Sequence, residues 1–441
     1  MDLQSVQDLK GVLRSDLYHG YATAAAQVEG AWNKDDKGQS IWDTFAHTPG
    51  KVKDGSTADD TIRLYDFYKE DVALMKSYGV NAYRFSLSWS RIIPLGGDDP
   101  INEKGNQYYS NPTDELLRNG ITSFVTLFHW DTPQALEDRY GGMLNQEKFV
   151  PDIGLGDRVK NWITLNEPGV YTPAGYAAGV HAPARSSFRS RNEEGDSSTE
   201  PFRVAHTELH ETIGITLHGN WSEPWNEADP QDQEAAERAH EFEIAGFADP
   251  LYKTGNYPAS IREQLGDRLP RFTPEESNLV LGSSEFYGMN TYTSFFRHDF
   301  NKQGVPRGEE SDTEWLRAAP WGFRKLLNWI WSRYQMPIYV TENGTMVKKK
   351  TASMPEALND EFRIKFFEGY VGWASARADV VDVRSYFAWT FTDNWEWDAA
   401  YTDRFRSTFI DFDSPEKTRY PKQSAYYLDK LFKHLIKDTW E

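Results

Sequence analysis

Two short runs in this chain could carry acid–base and nucleophilic chemistry: Thr164-Leu165-Asn166-Glu167-Pro168 and Thr341-Glu342-Asn343-Gly344. Each follows an apolar stretch, Trp162-Ile163 and Ile338-Tyr339-Val340, and each ends in a residue that stops a strand. The pattern puts one glutamate just past the C-terminal end of a buried strand in both places. Two carboxyls sharing a site can cleave a glycosidic bond, one protonating the leaving oxygen while the other attacks or activates water.

The elements that must position them alternate, short apolar runs with amphipathic stretches, which is the βα signature. Eight strands are expected at His19–Ala24, Asn81–Ser86, Ser123–Phe128, Lys160–Leu165, Gly214–Leu217, Phe286–Asn290, Ile338–Thr341 and Ser385–Phe391. Together they predict an α/β fold, a (β/α)8 TIM barrel, whose sites lie at the C-terminal ends of the strands. Leu64, Tyr68, Val72 and Met75 recur at helical spacing and predict a helix from Thr61 to Tyr78, stopped by Gly79. Helices are also expected at Gly322–Trp331, Asp360–Ala374 and Lys422–Ile436. Two crossovers look too short for full helices, Phe149 to Lys160 and Pro201 to Glu211, so outer helices 3 and 4 are expected to be shortened.

The whole chain, residues 1–441, is expected to form one domain, since no linker or low-complexity tract divides it. The 48 Lys and Arg against 67 Asp and Glu give a formal charge of −19, which argues against nucleic acid and anionic membranes as partners. There are no cysteines, hence no disulfide framework, thiolate nucleophile or cysteine metal site. The chain shows no secretory pattern at Met1–Val6 and no apolar run approaching about 18 residues. A cytoplasmic location is expected in preference to secretion. Aromatic residues make up 15% of the chain, enough to supply both core and sugar-stacking surfaces.

The motifs Gln27-Val28-Glu29-Gly30, Ser40-Ile41-Trp42-Asp43, Tyr83-Arg84-Phe85-Ser86 and His129-Trp130-Asp131 precede the first glutamate run. Asn290-Thr291-Tyr292-Thr293 and Asp393-Asn394-Trp395-Glu396-Trp397 stand on either side of the second. With these motifs in this order, the chain resembles the glycoside hydrolase family 1 β-glucosidases from about Tyr21 to Ile436, the fungal intracellular members most closely. The resemblance implies a retaining, exo-acting enzyme that removes terminal β-D-glucosyl residues from cellobiose, short oligosaccharides and aryl or alkyl β-glucosides. It implies no metal and no organic cofactor, the small β-glucoside being the partner.

Residue by residue, the resemblance makes Glu167 the acid/base and Glu342 the nucleophile. Arg84, Asn166 and Tyr292 would support them; a guanidinium at Arg84 would hold Glu342 ionised and oriented, or else form a plain structural ion pair. Gln27, His129, Trp130, Asn166, Trp389, Glu396, Trp397 and Phe405 would bind the sugar, with Trp389 beneath its ring. Trp315 would lie on the aglycone side, unless it serves only loop packing. Glu396 beside Trp397 resembles enzymes of unphosphorylated sugars, and Glu167 stands where thioglucoside cleavers carry glutamine.

Four positions depart from the family's pattern. His19 stands where a tryptophan is usual, Ala26 replaces an aromatic residue and Met143 another tryptophan. Arg406 replaces glycine, so a strained φ is expected there. Lost helical cover over strands three to five would expose hundreds of Å² of apolar surface, about several kcal/mol at roughly 25 cal/mol per Å². That cost leaves two alternatives open, a catalytically impaired carbohydrate-binding relative and a chain that does not fold alone.

Overall fold

The computed structural model describes residues 9–437 except 98, 146–158, 193–194, 208–213, 299–304, 307–308, 312–314, 347–353 and 375–380. All eight expected strands form: β1 Tyr18–Ala22, β2 Ala82–Ser86, β3 Thr122–Phe128, β4 Asn161–Leu165, β5 Ile215–His218, β6 Tyr287–Asn290, β7 Ile338–Asn343 and β8 Val383–Trp389. They make one parallel sheet in the order β4-β3-β2-β1-β8-β7-β6-β5. Its two edges meet, because Thr164 N donates to the Gly214 carbonyl and Glu167 N to the Thr216 carbonyl, both at 2.9 Å. The sheet is therefore a closed barrel.

The lower interior is filled by rings from several strands. Phe124 lies 5.0 Å from both Tyr18 and Phe387, and Tyr339 lies 4.5 Å from Phe286. This plug makes the barrel a packed core, with the polar groups gathered above it at the strands' C-terminal ends. Outside, α1 (Leu64–Ser77) buries Leu64, Val72 and Met75 as its periodicity predicts, while Tyr68 is half-buried. The other three expected helices form as Pro320–Tyr334, Glu361–Ala374 and Gln423–Leu435. His19 stacks on Phe432 of the last of these at 4.5 Å, so an imidazole fills the aromatic role there. Met143 is buried as well.

The expected shortening of the outer helices is met in part. Residues 149–158 of the first crossover lie outside the described residues, and Val159 and Lys160 have no regular structure. In the second, the helix Glu200–Thr207 has eight residues, with Val204 and Ala205 fully buried. The apolar face expected to be uncovered is largely covered: Val125, Ile163, Leu165, Ile215 and Leu217 are buried and Leu127 is half-buried. Little of the exposure that motivated the impaired and non-folding alternatives is therefore found on these strands.

Candidate active site

Each of the eight strands delivers polar groups to the upper end of the barrel, and backbone irregularities aim the two carboxyls. In β7 the register against β6 slips between Val340 and Glu342, and that against β8 between Val340 and Asn343. The slip is a bulge at Thr341, which re-aims the following side chain, Glu342. Glu167 leaves β4 in the left-handed region, with φ 46°. Pro168 then opens a short helix, and the Glu167 carbonyl accepts from Val170 N and Tyr171 N. A left-handed conformation costs a non-glycine residue about 1 kcal/mol or more, and such strain gathers at functional sites.

Arg84 organises the floor. It is fully buried; Nη1 donates to Glu342 Oε1 at 2.6 Å and Nη2 to Asn166 Oδ1 at 2.7 Å. Its Nε donates to Thr126 Oγ1, so the fork is held in one plane. The second oxygen of Glu342 accepts from the Tyr292 hydroxyl at 2.7 Å. Asn290 Nδ2 donates to Glu167 Oε1 at 2.6 Å and to Asn166 Oδ1 at 3.1 Å, while its own Oδ1 accepts from Thr341 Oγ1. A continuous hydrogen-bonded chain, Glu342–Arg84–Asn166–Asn290–Glu167, thus ties the carboxyls together.

Burial pushes the Glu342 carboxyl up to about 7, against Arg84 and with the Glu167 charge adding to it; Tyr292 opposes the rise. Arg84 orients Glu342 as expected from the sequence, through the 2.6 Å bond, but desolvation outweighs the guanidinium in setting its charge. Glu396 is pushed to about 8, also chiefly by burial, with Arg406 and Gln27 opposing.

The tautomer of His129 follows from its neighbours. Asn166 Oδ1 already accepts from Arg84 and Asn290, so Asn166 Nδ2 must donate to His129 Nε2, at 3.0 Å. Burial, then the Arg84 charge, keep the ring neutral. Its Nδ1–H therefore remains, without a partner among the described residues, as a donor. Gln27 Oε1 and Glu396 Oε2 are likewise buried and unpaired. Such unsatisfied groups cost energy unless something hydrogen-bonds to them, and a polyhydroxylated ring offers that.

Aromatic walls complete the pocket. Trp397 lies 4.7 Å from both Trp130 and Trp42, and His129 stacks at 6.0 Å on Trp389. Trp130 donates Nε1–H to the Asn166 carbonyl at 2.8 Å. Phe405 meets Tyr292 edge-on at 5.8 Å, and the exposed Trp315 meets the same ring from outside at 6.2 Å. The structure thus gathers the sequence-derived residues around one end of the barrel.

One backbone expectation fails. Arg406 is not among the residues with positive φ; Trp397 and Ala400, earlier in the same segment, are, at φ 52° and 50°. Arg406 is fully buried, 3.1 Å from Asp393, and donates to the Asn394 and Asp403 carbonyls. Sequence reasoning placed Asn290 in a motif without giving it a role, and missed His218, Asn220 and Glu243. Asn290 and His218 close their strands just as Glu342 nears the end of its own, a positional signal that could have found both. Among the described residues, no three His, Cys, Asp or Glu are grouped to hold a metal, and no helix is long and apolar enough to cross a membrane.

Residues 9–436 match the model of glycosyl hydrolase family 1. Beta-glucosidase 1B of Phanerodontia chrysosporium is 45% identical over 95% of this chain and 85% of its own length. The crystal structure of a family 1 β-glucosidase from the fungus Humicola insolens, in complex with glucose, superimposes with a TM-score of 0.90. It is 44% identical, covering 96% of this chain and 99% of that one. A mutant rice β-glucosidase in a covalent complex with glucose gives a TM-score of 0.89 at 40% identity, covering 97% and 99%. With the two buried carboxyls at the upper end of the barrel, the family match makes this a retaining O-glycosyl hydrolase. The chain belongs to glycosyl hydrolase family 1.

Proposed function

We propose that this chain is an exo-acting β-glucosidase in which Glu342 is the nucleophile and Glu167 the acid/base. The observation that carries the assignment is the asymmetry of the two carboxyls. Both oxygens of Glu342 are gripped, by Arg84 and by Tyr292, which aims the group and offsets its charge. Glu167 is held through Oε1 alone, by Asn290, which leaves Oε2 for a proton to come and go.

In the first half-reaction Glu342 attacks the anomeric carbon as the glycosidic C–O bond breaks, and Glu167 gives its proton to the leaving oxygen. The products are the free aglycone and a glucosyl ester on Glu342. In the second, Glu167 takes a proton from water, which attacks the anomeric carbon and frees Glu342. Two inversions retain the β configuration. The covalent glucose complex of the rice relative supports this course.

His129 Nδ1–H, Gln27 Oε1 and Glu396 supply donors and acceptors for vicinal hydroxyls, and Trp389 supplies an apolar platform. Substrates are terminal β-D-glucosyl residues of cellobiose, short oligosaccharides and aryl or alkyl glucosides. No group beyond the two carboxyls is required for either half-reaction. Hydrolysis of p-nitrophenyl β-D-glucoside by the purified chain, with Glu342→Ala as control, tests the reading. Turnover that survives in the control would sink it.

A further inference from the structure

His218 closes β5, opposite Asn290 in register, and its ring sits between two carboxylates. Nδ1 lies 3.9 Å from Glu167 Oε1, and Nε2 lies 3.2 Å from Glu243 Oε1. Glu243 belongs to the π-helical turn Glu241–Ala245 and is firmly placed. Its Oε1 accepts from Asn220 N at 3.0 Å and Nδ2 at 3.1 Å. Asn220 cannot flip, since its Oδ1 accepts from Tyr292 N and Thr293 N, and its Nδ2 lies 3.1 Å from His218 Nε2 as well as from Glu243 Oε1. Nδ1 of His218 is buried without a hydrogen-bond partner among the described residues, and the group it faces is the acid/base.

We infer that His218 is a positioning residue for Glu167: an imidazolium anchored on Glu243 that presents its Nδ1–H to Glu167 Oε1 when the proton of Glu167 passes to the leaving group. The inference rests on the assignment of Glu167 as acid/base. The proton that reaches the glycosidic oxygen is that of Glu167. His218 keeps both of its own and only tightens a hydrogen bond.

The groups around the ring favour its charge. Burial opposes it, but the hydrogen bond to Glu243 and the charges of Glu243, Glu342 and, once its proton has left, Glu167 outweigh burial and raise the imidazole to about 9. The nearby cation is Arg297, on the strand Ser294–Arg297, and it faces Glu243 Oε2 at 3.6 Å rather than the ring. A charged donor therefore faces Glu167 most firmly once that carboxyl has given up its proton. Such a contact strengthens in the transition state and acts on rate more than on binding.

The contribution scales with how much proton transfer the leaving group demands. The test is kcat/KM for a series from 2,4-dinitrophenyl to alkyl β-glucosides. His218→Gln should lower alkyl-glucoside turnover about ten- to a hundredfold, the size of one charged hydrogen bond, and leave the dinitrophenyl glucoside nearly unchanged. Glu243→Gln, which removes the anchor without touching β5, should act in the same direction. In a Glu167→Ala background, His218→Gln should have no further effect. A loss equal across leaving groups, or one that persists without Glu167, would overturn the inference and mark His218 as structural. If Glu167→Ala itself shows no leaving-group dependence, the acid/base assignment falls instead.

Discussion

The Tyr292 hydroxyl donates to Glu342 Oε2 at 2.7 Å, and Tyr292 is itself fixed at both ends of its peptide unit. Its backbone N donates to Asn220 Oδ1 at 3.1 Å and its carbonyl accepts from the Tyr370 hydroxyl at 3.2 Å. A phenol so placed stabilises the carboxylate form of Glu342 and disfavours the protonated form.

That relationship sets the acid side of the pH profile. Glu342 must be ionised to attack, and burial places its carboxyl at about 7. The rate kcat/KM should therefore fall as pH drops below about 7. Tyr292→Phe removes a donor that favours the charged form, so the limb should move to higher pH, by about one pH unit for one hydrogen bond to a charged group. A limb that stays in place, or moves down, would show that Tyr292 does not tune the nucleophile.

Removing the nucleophile should leave the rest of the site able to work on a substitute. Glu342→Ala empties the position held by Arg84 and Tyr292 and should abolish turnover. Azide is small enough to enter there and attack from the same face, in a single displacement. The product should be the inverted α-glucosyl azide, identified by NMR. A β-azide from this variant would mean that the nucleophile lies elsewhere.

The strand order and the two glutamates were legible because barrel strands are continuous apolar runs and each carboxyl follows one directly. Ile338-Tyr339-Val340 before Glu342 is the clearest case. The backbone devices that aim these groups were not. Nothing local in Thr341 announces a bulge, which exists only against β6 and β8, and nothing local in Glu167 announces its φ of 46°, adopted where its amide bonds the Thr216 carbonyl across the barrel seam. Asn290 was left without a role, and His218 unnoticed, for a related reason. Their roles come from partners about 25 to 125 residues away, and a strand-end amide or imidazole has no meaning until those partners meet it. Arg406 misled because a missing glycine was taken as a backbone problem, whereas the positive φ values in that segment fall on Trp397 and Ala400.

The acid/base is tested by what it is no longer needed for. Glu167→Ala should cost alkyl glucosides far more than activated aryl glucosides, because general acid catalysis is worth about 10²–10⁴-fold only where the leaving oxygen needs a proton. With an activated substrate the glucosyl ester should accumulate, and azide should attack it to give the β-glucosyl azide. The two azide products, α from one variant and β from the other, separate the roles. Equal losses across leaving groups would count against Glu167.

Arg406 offers a prediction about stability. Asp393 is fully buried, yet its carboxyl lies below the usual range: desolvation raises it, but Arg406, Lys422 and Arg404 outweigh that. Lys422 is itself driven down to about 7 by burial, so it is a weak partner at neutral pH. Arg404 is about a third exposed, at 36%, and its 3.0 Å bond to Asp393 is screened by solvent. Arg406 is therefore the buried cation on which Asp393 chiefly depends. Arg406→Ala should lose about 3 kcal/mol, the lower end for breaking a buried ion pair, and Arg404→Ala should lose less than about 1 kcal/mol. Urea unfolding at pH 7 measures both. Equal losses would mean that the exposed arginine carries as much of the charge balance as the buried one.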